Sequence, residues 1–405
     1  MPRLRSLPGL LSGVAFLLVA FVLPLLMVAA NRSSIAVFVS AAAWALLASL
    51  LGNQGRAALA RLGGLLATPE ALAVMLFVAW SLVSIAWSPD IAGSLFAVGE
   101  ALLPVGALLV LLVTLADRPP RWLPVVALAG IGLTLVGLPF ELRDGLRLRH
   151  ILSDRVFSYS LNRAMVVALL LALPCIGLLL RWKRPLVALA ALLALAVVTL
   201  ISDSGSSVLG LIAALAAYAF ARLAPRLAVG FGLACALFAL FGAPLMGDVA
   251  SHLIPERAVM AIEDSHAVER IGIWQSFGEV ARLRPWHGVG FDASAKLADS
   301  AVADEIPPQY RASLSWGHPH NAFLQIWVEL GIPGVVLAAI CLFFLFRALV
   351  QQPDEEIAIR LAAIAAVLAI AIESHGAWQG WWFAGIGAQI FLFVCFSRRE
   401  ATAPP

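Results

Sequence analysis

Apolar residues recur along this chain in runs of about 17 to 25, the length a helix needs to cross a bilayer. Leu, Ala and Val fill the runs, and short clusters of charged residues, Gly and Pro separate them. No stretch alternates apolar and polar positions as a membrane strand does. The pattern predicts twelve spanning helices, at about 9–30, 35–51, 69–87, 94–115, 122–140, 163–180, 185–202, 206–221, 227–246, 322–348, 358–374 and 379–396. Most connections are short, so consecutive spans should pack antiparallel. The expected fold class is therefore all-α, a polytopic integral membrane protein with one large helical extramembrane loop. Residues 1–246 hold the first nine spans, 247–321 the loop domain, 322–397 the last three spans, and 398–405 a tail.

A helical period returns inside the long loop. Val268, Ile271, Trp274, Phe277, Val280 and Ala281 recur every three or four residues, which predicts a helix from Asp264 to Pro285. Asp264 or Ser265 is placed to cap its start, and Pro285 closes it. Trp286 to Asp292, with Gly288 and Gly290, reads as a tight turn. A second short helix is expected within 304–315, after Pro307-Pro308.

Composition agrees with the pattern. Of 405 residues 62% are hydrophobic and 13% charged, more apolar surface than a soluble domain can hide. The net charge of +3 gives no reason to expect nucleic acid. Cys175, Cys235, Cys341 and Cys395 all lie in apolar runs, where a thiol behaves as a small hydrophobe. Met1 to Arg5 followed by apolar sequence has the look of a signal peptide. The run is about 20 residues long and lacks a convincing small-x-small cleavage site, so it reads as the first span.

Lys and Arg set the orientation. With the N-terminus in the cytoplasm, every cytoplasmic connection is basic, from Arg56 and Arg61 to Arg398 and Arg399. One short outer connection opposes the rule. Glu141 to Asn162 carries Arg143, Arg147, Arg149, His150 and Arg155, and Arg163 follows. An anionic ligand on the outer face is one reason to keep them there, and anionic lipid headgroups are the alternative. Asn162 and Arg163, at the start of the sixth span, are best placed to reach into the bundle.

The candidate chemistry gathers where the long loop meets the tenth span, at Trp316-Gly317-His318-Pro319-His320-Asn321. Ionisable groups at the edge of a membrane bundle are costly to keep and point to function. An imidazole can take a proton from a hydroxyl and return it, although both rings could also be spacers at a wet interface. Asn321 suits a helix cap. Arg270, on the loop helix, offers a guanidinium fork for phosphate oxygens. Its bland alternative is an ion pair with Glu269 or Asp264. Glu329 lies about 13–14 Å down a helix from His320 by rise per residue, and reads as a structural partner inside the bundle. Glu373 and His375 could line the same cavity. Trp378, Trp381 and Trp382 read as an interfacial aromatic belt, with sugar stacking as the other possibility. Metal-ligand spacings and nucleotide loops are missing, so no metal or cofactor is expected, and the driving force must be an activated substrate or a gradient.

Gly317 to Gly334, with its His-Asn step leading into a Glu329-Leu330-Gly331 helix, resembles the signature of the O-antigen ligase and polymerase superfamily. Arg270, Trp274, Pro285, Gly288 and Gly290 are similar to the loop motif that accompanies it. The resemblance implies a GT-C-like, metal-independent membrane glycosyltransferase in the bacterial inner membrane, with its active site facing the periplasm. It implies transfer of a polysaccharide from undecaprenyl pyrophosphate to lipid A-core, with inversion. His320 matches the catalytic base and Arg270 the pyrophosphate-binding arginine. Arg163, Arg155, Asn162, His318 and Asn321 complete the expected substrate-binding set. The family often has Asn-Pro-Asn at the start of the sixth span and Ser-Arg-Gly after the seventh. This chain has Leu161-Asn162-Arg163 and Asp203-Ser204-Gly205-Ser206 there. A polymerase, a transferase to protein hydroxyls, and a lipid-linked glycan transporter are the alternatives. The long loop's one-sided position argues against the inverted repeats of a transporter.

Overall fold

The computed structural model describes residues 6–152, 161–253, 267–373 and 375–400. The described chain is helical from end to end. The helices in order are α1 (Leu7–Ala29), α2 (Ser33–Leu51), α3 (Gly55–Leu66), α4 (Pro69–Ser84), α5 (Ile91–Thr114), α6 (Leu123–Arg143), α7 (Arg147–Leu152), α8 (Asn162–Arg181) and α9 (Pro185–Ile201). They continue with α10 (Gly205–Leu223), α11 (Pro225–Gly242), α12 (Met246–Leu253), α13 (Ala267–Leu283), α14 (Ala301–Glu305), α15 (Pro308–Arg311), α16 (Ala322–Val350), α17 (Asp354–Glu373) and α18 (Gly380–Glu400). Among the described residues ten helices are long and apolar enough to cross a membrane. All twelve expected spans fall on helices. The two outside the ten are α9, only 17 residues long, and α17, which opens on Asp354, Glu355 and Glu356 and ends on Glu373. The protein is a polytopic membrane protein.

The chain divides into two compact units. The first comprises Met1–Leu66, Glu100–Ile212 and Gly380–Pro405. Its centre is α8, whose residues Ala164 to Leu179 are all buried. A helix apolar on every side belongs inside protein, and α6, α9 and α18 pack around this one. Gln389 of α18 donates to the Leu170 carbonyl at 2.8 Å, a polar tie across that packing.

The second unit comprises Ala67–Gly99 and Ala213–Gln379. Here α16 is central and packs against α4, α11, α13 and α17. The sequence pattern shows one continuous span, whereas the structure breaks it. Gly331 has φ 62° and ψ −162°, and Pro333 follows two residues on. The turn after α13 fills the break. Val289 and Gly290 donate their N–H groups to the Val328 and Glu329 carbonyls at 2.8 and 3.0 Å, and Ile332 donates to Pro285 at 2.8 Å. The Trp80 indole donates to Leu330 at 2.9 Å. Backbone groups freed by the kink are thus re-satisfied, as a low-dielectric environment requires. Gly288 (φ 68°) lies so close that a Cβ there would meet the Glu329 backbone, so only glycine fits.

Outside the spans, α13 stops before Pro285 as expected, while its caps Asp264 and Ser265 lie outside the described residues. Arg282 fixes α13 to α12 through Asp248 at 2.8 Å and the Pro244 carbonyl at 2.9 Å. The second short helix is a single turn, α15, continued as 3₁₀ helix to Trp316.

Candidate active site

The segment before α16 is set by Asn321. Its side-chain oxygen accepts from the N–H groups of Phe323 and Leu324, both at 3.0 Å, and so caps the helix. Asn321 is fully buried and its amide nitrogen faces Met246 Sδ. Its side chain thus holds the chain where the loop enters α16. The residue before it, His320, has φ 51°. A non-glycine residue in the left-handed region is uncommon, and such strain gathers at functional sites. The ring centres of His318 and His320 are 4.1 Å apart, inclined at 49°. The His320 N–H donates to His318 Nδ1 at 3.3 Å, which makes Nδ1 the unprotonated nitrogen of that ring. Both rings are half-buried. Trp316 stands edge-on to His320 with ring centres 6.1 Å apart, and is 51% exposed.

Arg270 lies near the start of α13 and forms an ion pair with Glu373 at the end of α17. Of the two nearby acids named from the sequence, Asp264 lies outside the described residues. Burial pulls its guanidinium below the ordinary arginine value, against the attraction of Glu269. Glu373 Oε2 and the Trp274 indole nitrogen, one turn beyond Arg270, are buried without hydrogen-bond partners among the described residues. His318 reaches the same neighbourhood from another side, since a Cβ on Gly376 would come within 3.6 Å of its ring. The second unit therefore brings His318, His320 and Asn321 together, and it links His318 to the segment that follows Glu373.

The remaining expected residues belong to the first unit. Arg163 sits at the start of α8 with its guanidinium 5.3 Å from the centre of the Trp381 ring, a cation–π contact. Asn162 Oδ1 is buried without a partner among the described residues. Arg149 is buried and donates to the Met27 carbonyl at 2.9 Å, and desolvation draws its guanidinium down to about 10. Arg143 and Arg147 are exposed. Arg155 lies outside the described residues. The aromatic belt requires correction, because Trp378, Trp381 and Trp382 are 8%, 2% and 6% exposed and pack inside their units.

Two features escaped the sequence reading. The break at Gly331 was signalled by Gly and Pro two residues apart inside a span. The contact of Trp316 with His320 has no periodic signature, because it forms within an irregular turn.

Residues 190–339, which include α13, both histidines and the broken span, match the O-Antigen ligase family. A Rickettsia conorii protein provisionally named a polysaccharide ligase is 30% identical over 132 residues, which is 32% of this chain. The chain covers 31% of that relative's length.

Proposed function

We propose that this chain, whose residues 190–339 match the O-antigen ligase family, is a membrane-embedded glycosyltransferase transferring a lipid-linked glycan to an acceptor hydroxyl. The observation that carries the reading is His320. It sits in strained backbone at the mouth of a membrane span, its ring beside that of His318, within the unit that holds Arg270.

In the reaction, His320 takes the proton of the acceptor hydroxyl. The oxygen attacks the anomeric carbon from the face opposite the diphosphate. The bond between that carbon and the phosphate oxygen breaks, and its electron pair leaves on the diphosphate. Donors preplaced where charge develops supply much of the rate in such steps. Arg270 serves the leaving oxygens once Glu373 releases it. His318 orients His320 through its backbone N–H, and Asn321 holds the turn. The proposed donor is a glycan on undecaprenyl pyrophosphate, and the proposed acceptor is lipid A-core at the periplasmic face of the inner membrane.

The test is reconstitution of purified protein with a lipid-linked polysaccharide and either lipid A-core or a second lipid-linked glycan. Transfer to lipid A-core is expected. Product formed only on the second lipid-linked glycan would make it a polymerase, and no covalent product with either acceptor would end the transferase reading.

A further inference from the structure

Glu329 is fully buried in α16, two residues before the break at Gly331. Four donors converge on its carboxylate. Gln325 Nε2 lies at 2.8 Å, the Trp378 indole at 2.5 Å, the Asp292 N–H at 2.7 Å and the Ser294 N–H at 3.4 Å. All four are neutral groups that point hydrogens inward. A buried carboxylate is costly unless its lone pairs are filled this way. An amide in its place would turn its own hydrogens onto donors.

The donors come from three separate parts of the chain. Gln325 belongs to α16, Asp292 and Ser294 to the turn after α13, and Trp378 to the segment between α17 and α18. Gln325 extends the network by accepting from the Ala377 N–H at 2.7 Å. The Trp378 ring also lies on Phe291, with centres 4.7 Å apart. Just before these residues, Gly376 packs on the His318 ring, and Glu373 holds Arg270. The turn itself follows directly from α13, which carries Arg270.

We propose that Glu329 is a positioning residue for the transferase site: by clamping the 292–294 turn and the 377–378 segment onto α16, it sets where His318, His320 and the Arg270–Glu373 pair stand. It acts through these neighbours, since helix rise places it about 13 Å from His320. The role rests on the transferase reading, and the test lets the two fail separately.

The full chain, purified and reconstituted, is compared as wild type, Glu329→Gln, Trp378→Phe and Gln389→Leu. The last removes a buried hydrogen bond from the first unit and serves as the control for general loosening. Three readouts are taken: acylation of His318 and His320 by diethyl pyrocarbonate, followed by mass spectrometry; amide exchange at Asp292, Ser294 and Ala377; and transfer kinetics. In Glu329→Gln and Trp378→Phe, histidine acylation and exchange at the three amides are expected to rise roughly threefold or more, with no such change in the control. The turnover number is expected to fall about tenfold while the donor KM holds, the mark of lost transition-state alignment. Unchanged acylation and exchange in both variants, or an equal response from Gln389→Leu, would overturn the proposal. If Glu329→Gln does not fold, Trp378→Phe decides, because it keeps an aromatic ring there and removes one donor. If wild type transfers nothing, the transferase reading falls, and acylation and exchange still decide whether Glu329 sets the arrangement.

Discussion

Arg270 is held by Glu373, a carboxylate from the far end of a different helix. The guanidinium proposed to receive a diphosphate therefore already carries an anion, and donor binding has to displace it. Glu373→Gln removes the competitor at nearly constant volume. Calorimetry with a polyprenyl diphosphate should show a dissociation constant lower by roughly threefold or more, about 0.7 kcal/mol. Arg270→Ala should weaken the same binding at least about tenfold. Equal affinity in wild type and Arg270→Ala would remove this arginine from the donor site.

His320→Ala should lose transfer by about 10² to 10⁴-fold, the usual contribution of a positioned general base. Diphosphate binding should persist, because no part of that contact is assigned to the imidazole. Near-normal single-turnover rates in the variant would transfer the role to another group.

Asn321→Ala strips the acceptor from two buried N–H groups at the start of α16. The expected cost is about 1–2 kcal/mol, seen as a lower melting temperature in detergent. Asn321→Asp keeps an oxygen in place and should recover most of it. If the alanine variant melts with wild type, the cap is not what holds this turn.

Trp316 offers a half-exposed aromatic face beside the proposed base. A sugar ring laid on it would bring an acceptor hydroxyl to His320. Trp316→Ala should raise the acceptor KM with little change in the donor KM, and Trp316→Phe should keep most of the affinity. If instead brominated lipids quench Trp316 fluorescence and acceptor glycan does not, the ring is a membrane anchor.

Gly288→Ala would place a Cβ against the Glu329 backbone at a positive φ. The left-handed conformation alone costs about 1–2 kcal/mol. The variant should express poorly or melt early, and a wild-type melting curve would show that the turn can leave the break in α16.

What the sequence disclosed follows from the range of the forces involved. Spans are written locally, as runs of apolar residues, and all twelve became helices. The Asn321 cap was equally local, an amide just before an apolar run. The partner of Arg270 was not, because Glu269 and Asp264 are near in sequence while Glu373 arrives only through packing. Trp378 and Trp381 were misplaced for a related reason. Hydropathy does not distinguish a ring that meets lipid from one that meets protein. Glu329 was visible as an expensive acid, but three of its four donors lie on other segments, and no spacing announces them.

The enclosure of α8 also bears on how the protein is made. When this helix first enters the bilayer α6 is already made, but lipid stands in the places of α9 and α18, which have yet to be synthesised. Its later partners must strip that lipid away. Trp381, which covers the Arg163 guanidinium, arrives with the last helix. Until translation has passed it, that charge has no indole above it, and a nascent chain stopped short of Gly380 leaves α8 with one side unwalled.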